Sequence, residues 1–140
     1  MIVLDTNVVS ELMRPTPAIE VVDWVANQLV SESYLTAITL GELLYGVARL
    51  PDGRRKIELA ELIDAMVTDD FEHRVAPFDE TAAAHYADIV VRRERSGRPI
   101  STADAQIAAI CRSHGAVLAT RNVDDFTDTG ISVVNPWTDH

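Results

Sequence analysis

Five short apolar runs, separated by longer stretches of helical periodicity, narrow most sharply what this chain can fold into. They are residues 2–4, 34–37, 74–76, 117–119 and 132–134. Each is apolar on both faces, without the alternation of a strand that shows one side to water. That is the pattern of parallel strands covered by helices above and below. Parallel neighbours also need a crossover of about a dozen residues, and the stretches 17–30, 40–50, 54–70, 81–96 and 102–114 supply it. In the second of these, Leu40, Leu43, Leu44, Val47 and Leu50 follow the spacing of one buried helical stripe. Gly97 followed by Pro99 stops one helix, and Gly115 stops the next. "LPDGRR" (50–55) and "SGRP" (96–99) are turns, and there is no internal repeat, low-complexity tract or linker. The order predicts a three-layer α/β/α sandwich on a mainly parallel sheet of four to five short strands, as a single domain over residues 1–140.

Asp5 ends the first run without a polar lead-in, and an unpaired buried carboxylate is costly. In open parallel sheets, ligands bind beyond the carboxyl ends of the strands. Asp5 is therefore a helix cap, a phosphate acceptor or a metal ligand. Other candidates stand at comparable positions: Glu42 after the second run, Asp104 at the start of 102–114, and Asn122, Asp124 and Asp125 after the fourth run. Each has a plain structural reading. Thr39-x-x-Glu42 and Ser101-x-x-Asp104 match the capping box, and acids in a first turn suit the helix dipole. A cap accounts for one acid at a time, however, and gives no reason for several at compatible strand ends. Clustered carboxylates would suit a hard divalent cation such as Mg²⁺ or Mn²⁺. His73, His85, His114 and His140 lack ligand spacing and read as surface or packing residues.

Composition removes some classes. No apolar run approaches the ~20 residues of a membrane span, and the start lacks the basic stretch of a signal peptide. Cys111 is the single cysteine and falls on an apolar helical face, so it reads as core packing, and the compartment as cytosolic. The net charge of −10 argues against a broadly basic nucleic-acid surface and suits a basic partner. Eleven of the twelve cations are arginine, however, and Arg92, Arg93, Arg95 and Arg98 cluster in "VVRRERSGRP". They read either as contacts to a flanking phosphate backbone or as a solvated helix end. An Asp-based phosphotransferase or phosphatase is an alternative for Asp5. It would want a second acid at position 7, which is Asn7, or a late lysine, whereas Lys56 is mid-chain.

At these residues the sequence resembles the PIN-domain ribonucleases, within them the VapC-type toxins near the FitB-like branch. The matching stretches are "VLDTNVVSEL", "TLGELLYGV", "STADAQIAA", "ATRNVDDF" and "VVNPW", which run in order from end to end. The resemblance implies a Mg²⁺- or Mn²⁺-dependent endoribonuclease that is the toxin of a type II toxin–antitoxin pair. It implies that Asp5, Glu42 and Asp104 bind metal, and that Thr6 or Asn7 orders the site. It also implies a homodimer silenced by a cognate VapB-type antitoxin, promoter DNA bound through that antitoxin, and tRNA or ribosomal RNA as target. One departure is that Asn122 stands where the family often has a fourth acid. Asp124 or Asp125 would compensate, with Asp125 favoured because it precedes the apolar Phe126, and a weaker second metal position would follow. A PIN-fold binding module without full activity is the remaining alternative.

Overall fold

The computed structural model describes residues 1–139; His140 lies outside them. The strands β1 (Ile2–Leu4), β2 (Ser33–Thr36), β3 (Val75–Ala76), β4 (Val117–Ala119) and β5 (Ser132–Val134) form one sheet. Their order is β3-β2-β1-β4-β5, and every neighbouring pair is parallel. The chain thus builds outward from β1 to one side, then returns to build β4 and β5 on the other. At the β1/β4 junction, Ile2, Val3 and Leu4 pair with Val117, Leu118 and Ala119. Strand order reverses there, so the helices leaving the two strands part and open a crevice at their carboxyl ends.

The helices are α1 (Thr6–Leu12), α2 (Ile19–Ala26), α3 (Ala37–Ala48), α4 (Arg54–Ala65), α5 (Glu80–Arg95) and α6 (Thr102–His114). They lie on both faces of the sheet, as the strand alternation shows. Val3 and Leu118 enter a core with Ala82 and Ile89 of α5 and Ile107 and Ile110 of α6. Their neighbours Leu4, Leu35 and Ala119 enter the opposite core with Val8 and Val9 of α1, Val21 of α2, Met66 and Phe71. This is the expected three-layer sandwich. Cys111 is buried in the first core, and desolvation pushes its thiol up to about 12, which fits packing rather than reactivity. No helix among the described residues is long and apolar enough to cross a membrane.

Several elements depart from the expected boundaries. The seven-residue α1 is too short to show a period in the sequence, and it forms because Asp5 caps it. Helix α3 begins at Ala37, not at residue 40, because the Thr36 hydroxyl accepts the Thr39 N–H at 3.0 Å. Its stripe is also narrower than the spacing predicts. Val47 is buried, but Leu44 is 48% exposed and the adjacent Tyr45 66%. The helix packs against α1, α4 and α6 as well as β2 and β3, so its contacts are spread around it rather than along one line. The stretch 17–30 is α-helical over Ile19–Ala26 alone, and 54–70 ends in a π turn, Met66–Asp70.

Candidate active site

Asp5 extends the β1–β4 ladder by one bond, its N–H donating to the Ala119 carbonyl at 2.9 Å. The chain then turns into α1, and Asp5 Oδ1 accepts the Thr6 N–H at 2.8 Å. The capping reading of Asp5 is therefore correct, but it occupies one oxygen. The other, Oδ2, accepts the Thr120 hydroxyl at 2.8 Å and the Asn7 amide at 3.4 Å. Thr120 is fully buried at the end of β4, and its oxygen also accepts Asn7 Nδ2 at 3.2 Å and the Asn122 N–H at 3.1 Å. Asn7 Oδ1 in turn accepts the Arg121 N–H at 3.1 Å. Residues 5–7 and 120–122 are thus laced together across the switch point. Thr120 is the central knot, which reading by residue type passes over. The available signal was a hydroxyl residue ending an apolar strand.

Glu42 is not in a first turn. With Thr36 as cap and Ala37 first in the helix, it is the sixth helical residue and belongs to no capping box. It is exposed, and its Oε1 accepts the Thr6 hydroxyl at 2.9 Å, with the Thr39 hydroxyl 3.1 Å from the same oxygen of Thr6. Asp104 is in the first turn of α6 as expected, and its N–H donates to the Ser101 hydroxyl at 3.2 Å. That bond uses the main chain of Asp104, and its half-buried carboxylate is eased by the same serine.

The electrostatics tie these acids into one group. Burial raises the pKa of Asp5 above 3.8; the Thr120 and Thr6 bonds oppose this, and the charges of Glu42 and Asp125 add to it. Burial likewise raises Asp104, assisted by the charges of Asp5, Asp125 and Glu42 and opposed by Ser101. None of the four belongs to an ion pair among the described residues. The charges of four acids from four distant parts of the chain thus bear on one another at the carboxyl ends of the strands, unpaired by any side-chain cation among the described residues. They do not form a closed cage: among the described residues, no three His, Cys, Asp or Glu side chains are gathered tightly enough to hold an ion alone.

Beside the rim lies a polar cleft of about 430 Å³, lined by Arg121, Asn122, Val123, Asp124, Asp125 and Asn135. The arginine cluster divides. Arg95 and Arg98 are exposed, and Arg92 pairs with Asp88 at 3.8 Å. Arg93 is 5% exposed and donates to three main-chain carbonyls, so it is not free to meet a flanking phosphate backbone. Arg121, which the sequence did not single out, adjoins the acids, with its guanidinium 4.9 Å from the Trp137 ring centroid.

Comparison with known proteins bears on what such a site does. Residues 2–131 match the family model described as PIN domain. A relative named VapC ribonuclease Y4jK, from Sinorhizobium fredii (strain NBRC 101917 / NGR234), is 40% identical over 137 residues, covering 98% of each chain. Toxin FitB of Neisseria gonorrhoeae (strain ATCC 700825 / FA 1090) is 42% identical over 139 residues, covering 99% of this chain and all of that one. A solved structure of FitAB bound to an IR36 DNA fragment matches with a TM-score of 0.92 at 40% identity, over 100% of this chain and 98% of its own.

Proposed function

The chain belongs to the PIN-domain family, and from that premise we propose that it is the toxin of a type II toxin–antitoxin pair and an endoribonuclease that hydrolyses RNA phosphodiester bonds at the acidic rim. The observation that carries this is the bonding at the carboxyl ends of β1 and β4, where Thr120, Asn7 and the Thr6 N–H hold the Asp5 carboxylate and the Thr6 hydroxyl reaches Glu42, with the unpaired charges of Asp104 and Asp125 acting on the same group. Such an arrangement costs folding energy unless a cation compensates it.

The donors are all oxygens, which suits a hard divalent ion, Mg²⁺ or Mn²⁺, and does not suit the nitrogen and sulfur preference of zinc. Their open spacing suits an ion that keeps several waters. Asp5, Glu42 and Asp104 would hold it, with Asp125 alongside and the uncharged Asn122 leaving a second position weaker. When bound, such an ion lowers the pKa of a water and offsets the charge that builds on phosphate during in-line attack. The chain's own residues do the positioning. Thr120, Asn7 and the Thr6 N–H fix both oxygens of Asp5, and the Thr6 hydroxyl steadies Glu42. Hydrolysis then leaves a 5′-phosphate and a 3′-hydroxyl. The target is a structured RNA such as tRNA or ribosomal RNA, met by Arg121 and the exposed Arg92, Arg95 and Arg98.

The same reading assigns the partners. The toxin is a cytoplasmic homodimer held inactive by a cognate VapB-type antitoxin, and the complex binds promoter DNA through the antitoxin. A net charge of −10 and exposed Leu44, Tyr45, Ile57 and Leu62 suit a basic, amphipathic partner. An arginine from that partner would pair with the rim carboxylates. A phosphotransferase is disfavoured because no acid stands at position 7 and Lys56, the single lysine, is mid-chain. A binding module without activity has no use for the uncompensated acids.

Glu42→Gln and Asp104→Asn test the assignment, since each keeps shape and removes charge. RNA cleavage should fall on the order of a hundredfold or more in each, and Mn²⁺ binding by calorimetry should weaken by ~10- to 100-fold. Native cleavage in both variants would overturn the site.

A further inference from the structure

Arg93 is the one buried cation among the described side chains, and it belongs to none of their ion pairs. A guanidinium withdrawn from water is unfavourable unless its N–H groups are met. Main-chain oxygens meet them here. Nε donates to the Arg98 carbonyl at 2.6 Å, and Nη1 donates to the carbonyls of Asp125 and Thr127, each at 2.9 Å. The first bond closes the turn after α5. The other two reach 32 and 34 residues along the chain, into the segment that follows β4. An apolar side chain would fill the same space without desolvating a charge. What it could not do is grip two carbonyls of one turn while anchored to a third elsewhere, which the planar fork of arginine allows.

The gripped carbonyls lie at the end of the turn Val123–Phe126, and between them Phe126, 2% exposed, anchors the same end in the core. Asp125 itself is exposed and lines one cleft with Asn122, whose N–H donates to the Thr120 oxygen that in turn donates to Asp5. We propose that Arg93 is a positioning residue for the acidic rim: by holding the carbonyls of Asp125 and Thr127, it sets where the Asp125 carboxylate stands relative to Asp5 and Asp104. It touches neither substrate nor ion and acts through Asp125. The role rests on the reading of the rim as a metal-dependent nuclease site.

The test compares Arg93→Met, Arg93→Lys, Asp125→Asn and the double variant Arg93→Lys/Asp125→Asn with the native chain, in RNA cleavage and in Mn²⁺ binding by calorimetry. Arg93→Met should lose tenfold or more in Mn²⁺ affinity, with Arg93→Lys between it and the native protein. Because Arg93 works through Asp125, Arg93→Lys should cost less than twofold once Asp125 is already Asn. Losses that multiply in the double variant, or an Arg93→Met protein with native Mn²⁺ affinity, would overturn the role. Should Arg93→Met fail to fold, the native protein still decides. The Arg93 Nε–H resonance should shift on Mg²⁺ titration and stay fixed in Asp125→Asn; no shift in the native protein overturns the proposal. Asp5→Asn separates the two readings. If it cleaves RNA as well as the native chain, the site assignment fails and the role of Arg93 with it. If Asp5→Asn is inactive while Arg93→Met is native in affinity and cleavage, only the role of Arg93 fails.

Discussion

One oxygen of Asp5 caps α1 and the other takes the Thr120 hydroxyl, so the carboxylate is held in place while its charge faces other acids. Its pKa stands above 3.8 in the folded protein, chiefly through burial. Between the unfolded and folded values the native state binds more protons, so stability falls as pH rises through that window and the deficit is complete above it. Asn keeps the shape of Asp and carries no charge. Metal-free Asp104→Asn, at a carboxylate raised in the same direction but free of the double acceptor duty of Asp5, should therefore melt above the native protein at about pH 7, with the gap closing as pH falls toward 3.8. Melting curves in chelator across that range check it, and a gap that widens on acidification contradicts the sign. At this scale Asp5 was legible as a carboxylate ending an apolar run, while Glu42 and Asp104 drew notice through capping-box spacing, which Asp104 fulfils and Glu42 does not. Thr120 and Arg93 were not legible. A buried threonine looks like any strand residue, and an arginine among three others looks like surface until its burial is known.

Elements were legible where a local chemical signal marks the boundary. Helix α6 runs from Thr102 to His114 as expected, because Ser101 caps its start and Gly115, at φ 62°, closes its end in the left-handed region. The strands β1, β4 and β5 fall on their apolar runs without adjustment. Helix α3 was misplaced by three residues because two threonines, Thr36 and Thr39, compete for the cap, and the tertiary position of β2 decides between them. The shift changes what Glu42 is: a side chain in the second turn, free of capping duty. Ser101→Ala should thus lower unfolding free energy in urea by about 1 kcal/mol. Glu42→Gln, no longer a cap, should stay within about 0.5 kcal/mol of the native value.

For the whole molecule, the sheet order matters more than any single element. Switching direction at β1/β4 places residues from opposite ends of the chain at one crevice, and the mutual repulsion of the rim acids is part of the native state. An ion that binds only the folded form should relieve it. Mn²⁺ at a hundred times its dissociation constant would add about 2.7 kcal/mol of stability, seen as a rise in Tm with concentration that Asp5→Asn does not share. The parallel sandwich and most of the acids could be read from sequence because both rest on local patterns; the knot at Thr120 could not, since it depends on which strands become neighbours. The hydrogen bond from Thr120 to Asp5 spans 115 positions of sequence. That separation sets a clock on synthesis. A nascent chain that has not yet delivered Val117–Ala119 carries Asp5, Glu42 and Asp104 but has no β4 to lie beside β1. A chain cut short before β4 therefore lacks the Ala119 carbonyl and the Thr120 hydroxyl that hold Asp5, and cannot build this arrangement from its first half alone.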